Sequence, residues 1–207
     1  TKLYVHLTFV EDLLGSQPAS REVHSMYVAG KIKGRILADG DDPARMADEE
    51  LDAVHALQDR GVTVFPQDDE GLFIWDYQIK GFLKEAANVL KDTLGIKNAR
   101  SKIDNYVFIK PRKIYIYRDG EIITEPDDML ERPIRAMTAM GPRSTLVSSE
   151  VIYKGAEIDF EIWILENKEI TPKVIEQLLE YGRLKGLLQW RNGGYGSFEA
   201  EIVSMAK

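Results

Sequence analysis

The run Gly186-Leu-Leu-Gln-Trp-Arg-Asn-Gly-Gly-Tyr-Gly-Ser-Phe198 has the residue types best suited to chemistry. Glycines let another backbone approach closely, and the bare N–H groups of such a loop can cradle a phosphate. Arg191 adds a planar fork that matches phosphate, Trp190 and Tyr195 offer faces for a base, and Asn192, Gly193 and Gly194 lie between them. No Gly-Lys-Ser/Thr follows, and a strand comes next where a dinucleotide fingerprint would open a helix. The same residues suit a plain tight connection, and their types alone leave both readings open. A second group is Arg132, Arg135 and Arg143, with Thr138, Ser144 and Thr145 as extra donors, which suits a phosphate backbone. Its alternative is a solvated loop paired with nearby acids. Lys80 and Lys84, four residues apart, share one helical face, although charges there usually meet only solvent.

Nucleophilic and metal chemistry is poorly represented. His6, His24 and His55 lack metal-ligand spacing and read as structural or surface residues. There is no Gly-x-Ser-x-Gly, no His-Glu-x-x-His and no calcium loop. Asp39-Gly40-Asp41-Asp42 could hold a weak hard cation, but acids so spaced more often form a solvated face. Cysteine is absent from the 207 residues, which excludes disulfides, Cys-ligated zinc and a thiol nucleophile. No cofactor and no resident metal are expected.

The elements that must position these residues follow from periodicity. Leu3–Val10 alternates as a half-buried strand and ends at the turn cluster Gly15-Ser-Gln-Pro18. Residues 20–60 read as an acidic helical insertion, with one helix from Ser20 and another over Ala47–Gln58. Val62–Phe65 and Leu72–Trp75 read as a hairpin. A helix over Tyr77–Leu94 stops at Gly95, and Tyr106–Ile109 and Lys113–Tyr117 are strands. Asp119-Gly120 is a strong hairpin turn, with Ile122-Ile123 returning. Glu125–Arg143 has little periodicity and reads as a long loop. Thr145–Ile152 and Glu157–Leu165 are strands, Thr171-Pro172 opens a helix that ends near Gly182, and Ser197–Val203 is the last strand. Stripped of the insertion and the extra hairpin or long loop, the order is β-α-β-β-α-β. That predicts an α+β, ferredoxin-like (RRM-like) single domain over 1–207.

The net charge of −7 is unevenly spread. From Asp39 to Glu70 eleven acids face only Arg45 and Arg60, giving −9. From Gly71 to Gly120 ten bases face five acids, giving +5, so a basic face remains available outside the acidic segment. No apolar run is long enough to span a bilayer, and the N-terminal residues do not resemble a signal peptide. A soluble, cytoplasmic protein with no membrane partner is the expectation.

Several segments resemble the RAMP superfamily, the ferredoxin-like RNA-binding subunits of CRISPR effector complexes. Phe73-Ile-Trp-Asp-Tyr-Gln-Ile-Lys-Gly-Phe-Leu-Lys-Glu-Ala87 is similar to their lead-in to the first helix. Ser149-Glu-Val-Ile-Tyr-Lys-Gly-Ala-Glu-Ile-Asp-Phe160 is similar to their "Glu-x-Ile-Pro-x-Gly-x-x-Phe" strand pair, and Gly193-Gly-Tyr-Gly-Ser-Phe-Glu199 to their final glycine-rich loop. Trp75-Asp76-Tyr77 stands where that pattern has Pro-Gly. The chain as a whole also resembles proteins found in bacteriophages and prophages, through segments such as Arg132-Pro-Ile-Arg-Ala-Met-Thr-Ala139. The resemblance implies a RAMP-like core that binds single-stranded RNA or DNA, or takes part in assembly, without catalysis. It would do so through Lys80, Lys84, Arg132, Arg135, Arg143 and the loop from Trp190 to Tyr195, in a bacterial host cell if phage-encoded. A homo-oligomer or protein partner is compatible. One alternative is a phage-encoded interaction protein, acting on host defence or assembly through its acidic surface. Another is a metal-independent endoribonuclease using His6 or His24 with Arg191.

Overall fold

The computed structural model describes residues 1–19, 62–138, 141–165 and 167–206. The expected acidic helical insertion at 20–60, with His24 and His55, lies outside the described residues. The chain begins with β1 (Lys2–Phe9), β2 (Leu13–Leu14), β3 (Gln17–Pro18), β4 (Val62–Val64) and β5 (Phe73–Trp75), then α1 (Asp76–Val89), α2 (Lys91–Leu94) and α3 (Ala99–Tyr106). It continues through β6 (Val107–Lys110), β7 (Lys113–Tyr115), β8 (Tyr117–Arg118), β9 (Glu121–Ile122), β10 (Asp128–Thr138), β11 (Gly141–Ile152), β12 (Glu157–Ile164), α4 (Pro172–Glu180) and β13 (Phe198–Ala206). The class is α+β, as expected.

Two compact units are present. The first comprises Thr1–Gly15, Phe65–Asp127 and Val151–Lys207. Its six-stranded main sheet runs β13-β1-β12-β8-β9, with β6 also pairing with β12, and every pairing is antiparallel. α1 lies on the connection from β1 to β6, and α4 on the connection from β12 to β13. Alternation explains the strands: Leu3, Val5, Leu7 and Phe9 are buried on β1, and Ile158, Phe160, Ile162 and Ile164 on β12. α1 buries Ile79, Phe82, Leu83, Ala86 and Ala87, the three-and-four spacing of one helical face. α4 starts where Thr171 Oγ1 accepts the Val174 N–H at 3.4 Å, with Pro172 in its first turn, and buries Ile175, Leu178 and Leu179. These side chains form one core with the inward faces of the strands. Among the described residues no helix of this unit covers the outward face of the sheet, where Tyr4, Phe108 and Trp163 stand exposed.

The second unit comprises Ser16–Val64 and Asp128–Glu150. Its strands run β10-β11-β4-β3, with β4 parallel to β11 through Ser148↔Val62 and Ser149↔Thr63.

Three expectations change. Val62–Phe65 and Leu72–Trp75 form no hairpin: β4 pairs with β3 and β11, while β5 pairs with β7. Between them the segment is held by the bridge Gln67↔Leu72 and by the Phe73 N–H, which donates to Pro66 O at 3.0 Å, rather than by a ladder between the two runs. Glu125–Arg143 is not a loop, because from Asp128 onward it forms β10 and the start of β11, reversing near Gly141 at φ +104. Pro133 disguised the strand, and the end position of β10 in the sheet order tolerates it. α3 was unexpected because its eight residues bury only Ala99 and Ile103.

Candidate nucleic-acid interface

The glycine-rich loop is tightly closed. A Cβ on Gly186 would lie 1.9 Å from the Tyr195 carbonyl oxygen, and one on Gly182 would lie 2.2 Å from the Phe198 ring. The Leu187 N–H donates to Gly196 O at 2.9 Å, and the Gly196 N–H to Asp12 O at 2.8 Å. The Gly193 N–H bonds Trp190 O at 2.8 Å and the Gly194 N–H bonds Arg191 O at 3.1 Å. These amides, which a phosphate cradle would need, are satisfied within the fold. Trp190 and Tyr195 stack with ring centroids 5.3 Å apart and planes 8° off parallel. Asn192 and Gly193 are exposed at the tip.

Glu85 on α1 ties the loop to the helix. It accepts Arg191 Nη2 at 2.7 Å and also takes the Lys185 ammonium. Its neighbour Lys84 pairs with Asp104 at 2.9 Å, and this bond holds the Asp104 carboxyl below its usual range. The Lys80 ammonium donates to Asp104 O at 2.9 Å and to Val107 O, at the C-terminal end of α3. Burial lowers its pKa, with the nearby Asp104 charge opposing. Lys80 and Lys84 therefore face α3, Arg191 faces Glu85, and each is already engaged by a carboxylate or carbonyl.

The three arginines lie in the other unit. Arg132, on β10, is 4% exposed, and its Nη1 donates to Ser149 Oγ at 3.1 Å. Ser149 in turn hydrogen-bonds Thr63 at 2.6 Å. Arg135 lies on β10 and Arg143 on β11, and their side chains fall outside the described residues.

The bare sheet face carries groups that the sequence reading missed. Trp163 on β12 is the register partner of Phe108 on β6 and of Lys2 on β1. Lys2 Nζ sits 4.1 Å from the Trp163 ring centre, and the indole N–H donates to Glu161 at 2.6 Å. The available signal was the alternation of Val-Phe-Ile-Lys and Glu-Ile-Trp-Ile, in which a buried branched residue leaves an aromatic outward. Elsewhere on this face, His6 Nδ1 lies 2.9 Å from Asp159 and 3.1 Å from the Tyr117 hydroxyl, and His6 Nε2 lies 3.7 Å from Glu157. The Tyr117 hydroxyl also donates to Asp159, and burial, reinforced by that carboxylate, raises its pKa. A recess of about 410 Å³ beside them is lined by Tyr117, Asp159, Lys113 and Tyr115 among others. Lys113 and Tyr115 both donate to Asp68, which is held down to about 2. No group of three or more His, Asp or Glu among the described residues is placed to hold a metal ion. None of the described helices is long and apolar enough to cross a membrane.

No family model and no curated protein matches the chain. Among solved structures, it is similar to a chain in the cryo-EM structure of the Type III-B Cmr-beta bound to cognate target RNA, with 13% identity and a TM-score of 0.50. The match covers 97% of this chain and 59% of that one, so this chain spans only part of its length. The likeness is one of fold.

Proposed function

We propose that this protein binds single-stranded nucleic acid, or assembles on it, through a RAMP-like core of ferredoxin-like topology, and performs no covalent chemistry. The observation that carries this reading is the antiparallel pairing of β13 with β1, β1 with β12 and β12 with β6, with one face packed by helices and, among the described residues, the other left exposed. These pairings are compatible with a ferredoxin-like sheet, and the similar solved chain belongs to a structure bound to target RNA. Arg135 and Arg143 bind phosphates from the hairpin, while Arg132 holds that hairpin together through Ser149. In the other unit Lys80, Lys84 and the Trp190–Tyr195 loop meet the strand, and Arg191 exchanges Glu85 for phosphate when it binds. The carboxylates around His6 repel a phosphodiester, which disfavours cleavage at that histidine.

The test is anisotropy of labelled single-stranded RNA and DNA across a salt series. Arg135→Ala and Arg143→Ala each take one cation from the phosphate backbone, and each should shallow the salt slope by about 0.7. Absence of binding by folded protein at low salt would overturn the reading. A second reading, a protein partner with a basic surface, is favoured by Glu157, Asp159, Glu199 and Glu201 around one part of the sheet face. Phage assembly or opposition to host defence is the setting that the sequence resemblance gives either role. A pull-down that returns RNA or DNA and no stable protein would exclude the second reading.

A further inference from the structure

We propose that the β6 side of the bare sheet face is a base-stacking site for single-stranded nucleic acid, built on the cross-strand pair Trp163 and Phe108. This rests on the nucleic-acid reading above and names a site that the sequence reading did not contain. The two side chains are direct register partners on neighbouring strands, so their rings share one row of the sheet. They are 39% and 42% exposed, while their strand neighbours Ile162, Ile164, Val107 and Ile109 are buried. Burying two large aromatics would stabilise the fold, and the pleat instead holds both toward solvent. Every nucleobase has a flat face that such rings accept, which makes the site tolerant of sequence.

Charge selects the occupant. Lys2 flanks Trp163 on one side, and Lys110 follows Phe108 two residues on, on the same face of β6. Arg112 is exposed just beyond, in the turn that leads away from β6. Among the described residues, Lys110 and Arg112 form no ion pair, unlike Lys84, Lys185 and Arg191. Glu161, in the next row and opposite Lys110, accepts the Trp163 indole N–H. Along β12 toward its N-terminal end, and on β13, the sign reverses, with Asp159 and Glu157 on the former and Glu199 and Glu201 on the latter. A polyanion is therefore drawn to the Trp163–Phe108 end of the face and kept off β13 and the Glu157–Asp159 end of β12. A duplex hides its base faces and gains nothing from the rings, and a basic protein is repelled by the cations that flank them.

The full chain is titrated with labelled oligouridylate and oligothymidylate, as wild type, Trp163→Leu, Phe108→Leu, Lys110→Gln/Arg112→Gln and Glu199→Gln/Glu201→Gln. Each aromatic variant should weaken binding about 5- to 150-fold without changing the salt slope. The lysine–arginine variant should lose slope, and the β13 variant should bind no more weakly than wild type. The two oligonucleotides separate RNA from DNA as the preferred strand. Photo-crosslinking of thiouridine-substituted RNA to the wild type gives a readout independent of variant folding, with adducts expected on Trp163 and Phe108. Salt-dependent wild-type binding with unchanged aromatic variants, or adducts elsewhere only, would overturn the stacking site and leave the nucleic-acid reading standing. No binding by any folded variant would overturn both.

Discussion

Replacing Gly186 with alanine separates the two readings that the glycine-rich run admits from its residues alone. A Cβ there would lie 1.9 Å from Tyr195 O, 2.4 Å from the Gly196 carbonyl carbon and 2.6 Å from Ser197 N, where real Cβ atoms essentially never come under 3.0 Å. All three are backbone atoms, so no side chain can swing aside, and the two arms of the loop must part by about 1 Å to reach even that limit. Parting them breaks or weakens the Leu187 N–H to Gly196 O bond of 2.9 Å and the Gly196 N–H to Asp12 O bond of 2.8 Å. Overpacking of this kind costs about 1–3 kcal/mol, and each broken backbone bond about 1 kcal/mol more. A total near 4 kcal/mol is a large share of the stability of an ordinary domain and lowers Tm by roughly 10 °C at this chain length. Thermal unfolding followed by circular dichroism measures it. Gly193→Ala is the control, because its nearest atoms, in the Trp190 ring, lie at an ordinary 3.5 Å. A Gly186→Ala protein that melts like wild type would refute the tight-turn account of the loop. If it also lost RNA binding, the phosphate-cradle reading would take its place.

Further predictions use other parts of the molecule. Arg132→Ala removes a buried guanidinium from Ser149 and should destabilise by about 1–3 kcal/mol, read by chemical denaturation; an unchanged midpoint would show that the arginine does not brace its hairpin. Asp68 has its folded pKa lowered to about 2 from 3.8, first by Lys113 and then by Tyr115 and backbone donors opposing burial, so its contribution is complete above the ordinary carboxylate range and disappears as pH falls toward 2. The Tm difference between wild type and Asp68→Asn should therefore be flat near neutrality and close across that acid window. Glu85→Gln releases Arg191 and Lys185 from their carboxylate and should tighten RNA binding and steepen its salt dependence; weaker binding would place Arg191 outside the interface.

What could be read from the sequence was local. β1 showed in the alternation of Leu3, Val5, Leu7 and Phe9, and α4 in Thr171-Pro172 followed by one apolar face. The Asp119-Gly120 turn showed because both residues adopt positive φ, +53 and +82, which that pair tolerates. Whatever depended on distant partners did not show. β4 reads like half of a hairpin, yet its ladder lies with β11, far along the chain. Arg191 reads as a phosphate ligand until Glu85, on a helix much earlier in the chain, is found beside it. Arg132 reads as exposed because Pro133 makes its strand look like a loop, and only the pairing with Ser149 shows it buried. The outward aromatics of β6 and β12 were present in the pattern, but an alternating strand marks its buried face more plainly than what the other face meets.

The most direct test of the central claim is the affinity of wild-type protein for labelled single-stranded RNA as salt is raised. The account predicts measurable binding at low salt whose logarithm falls linearly with the logarithm of salt, at a slope of about −1.5 to −3 for two to four phosphates. A cooperatively folded protein that does not bind, or binds with an affinity indifferent to salt, would contradict it.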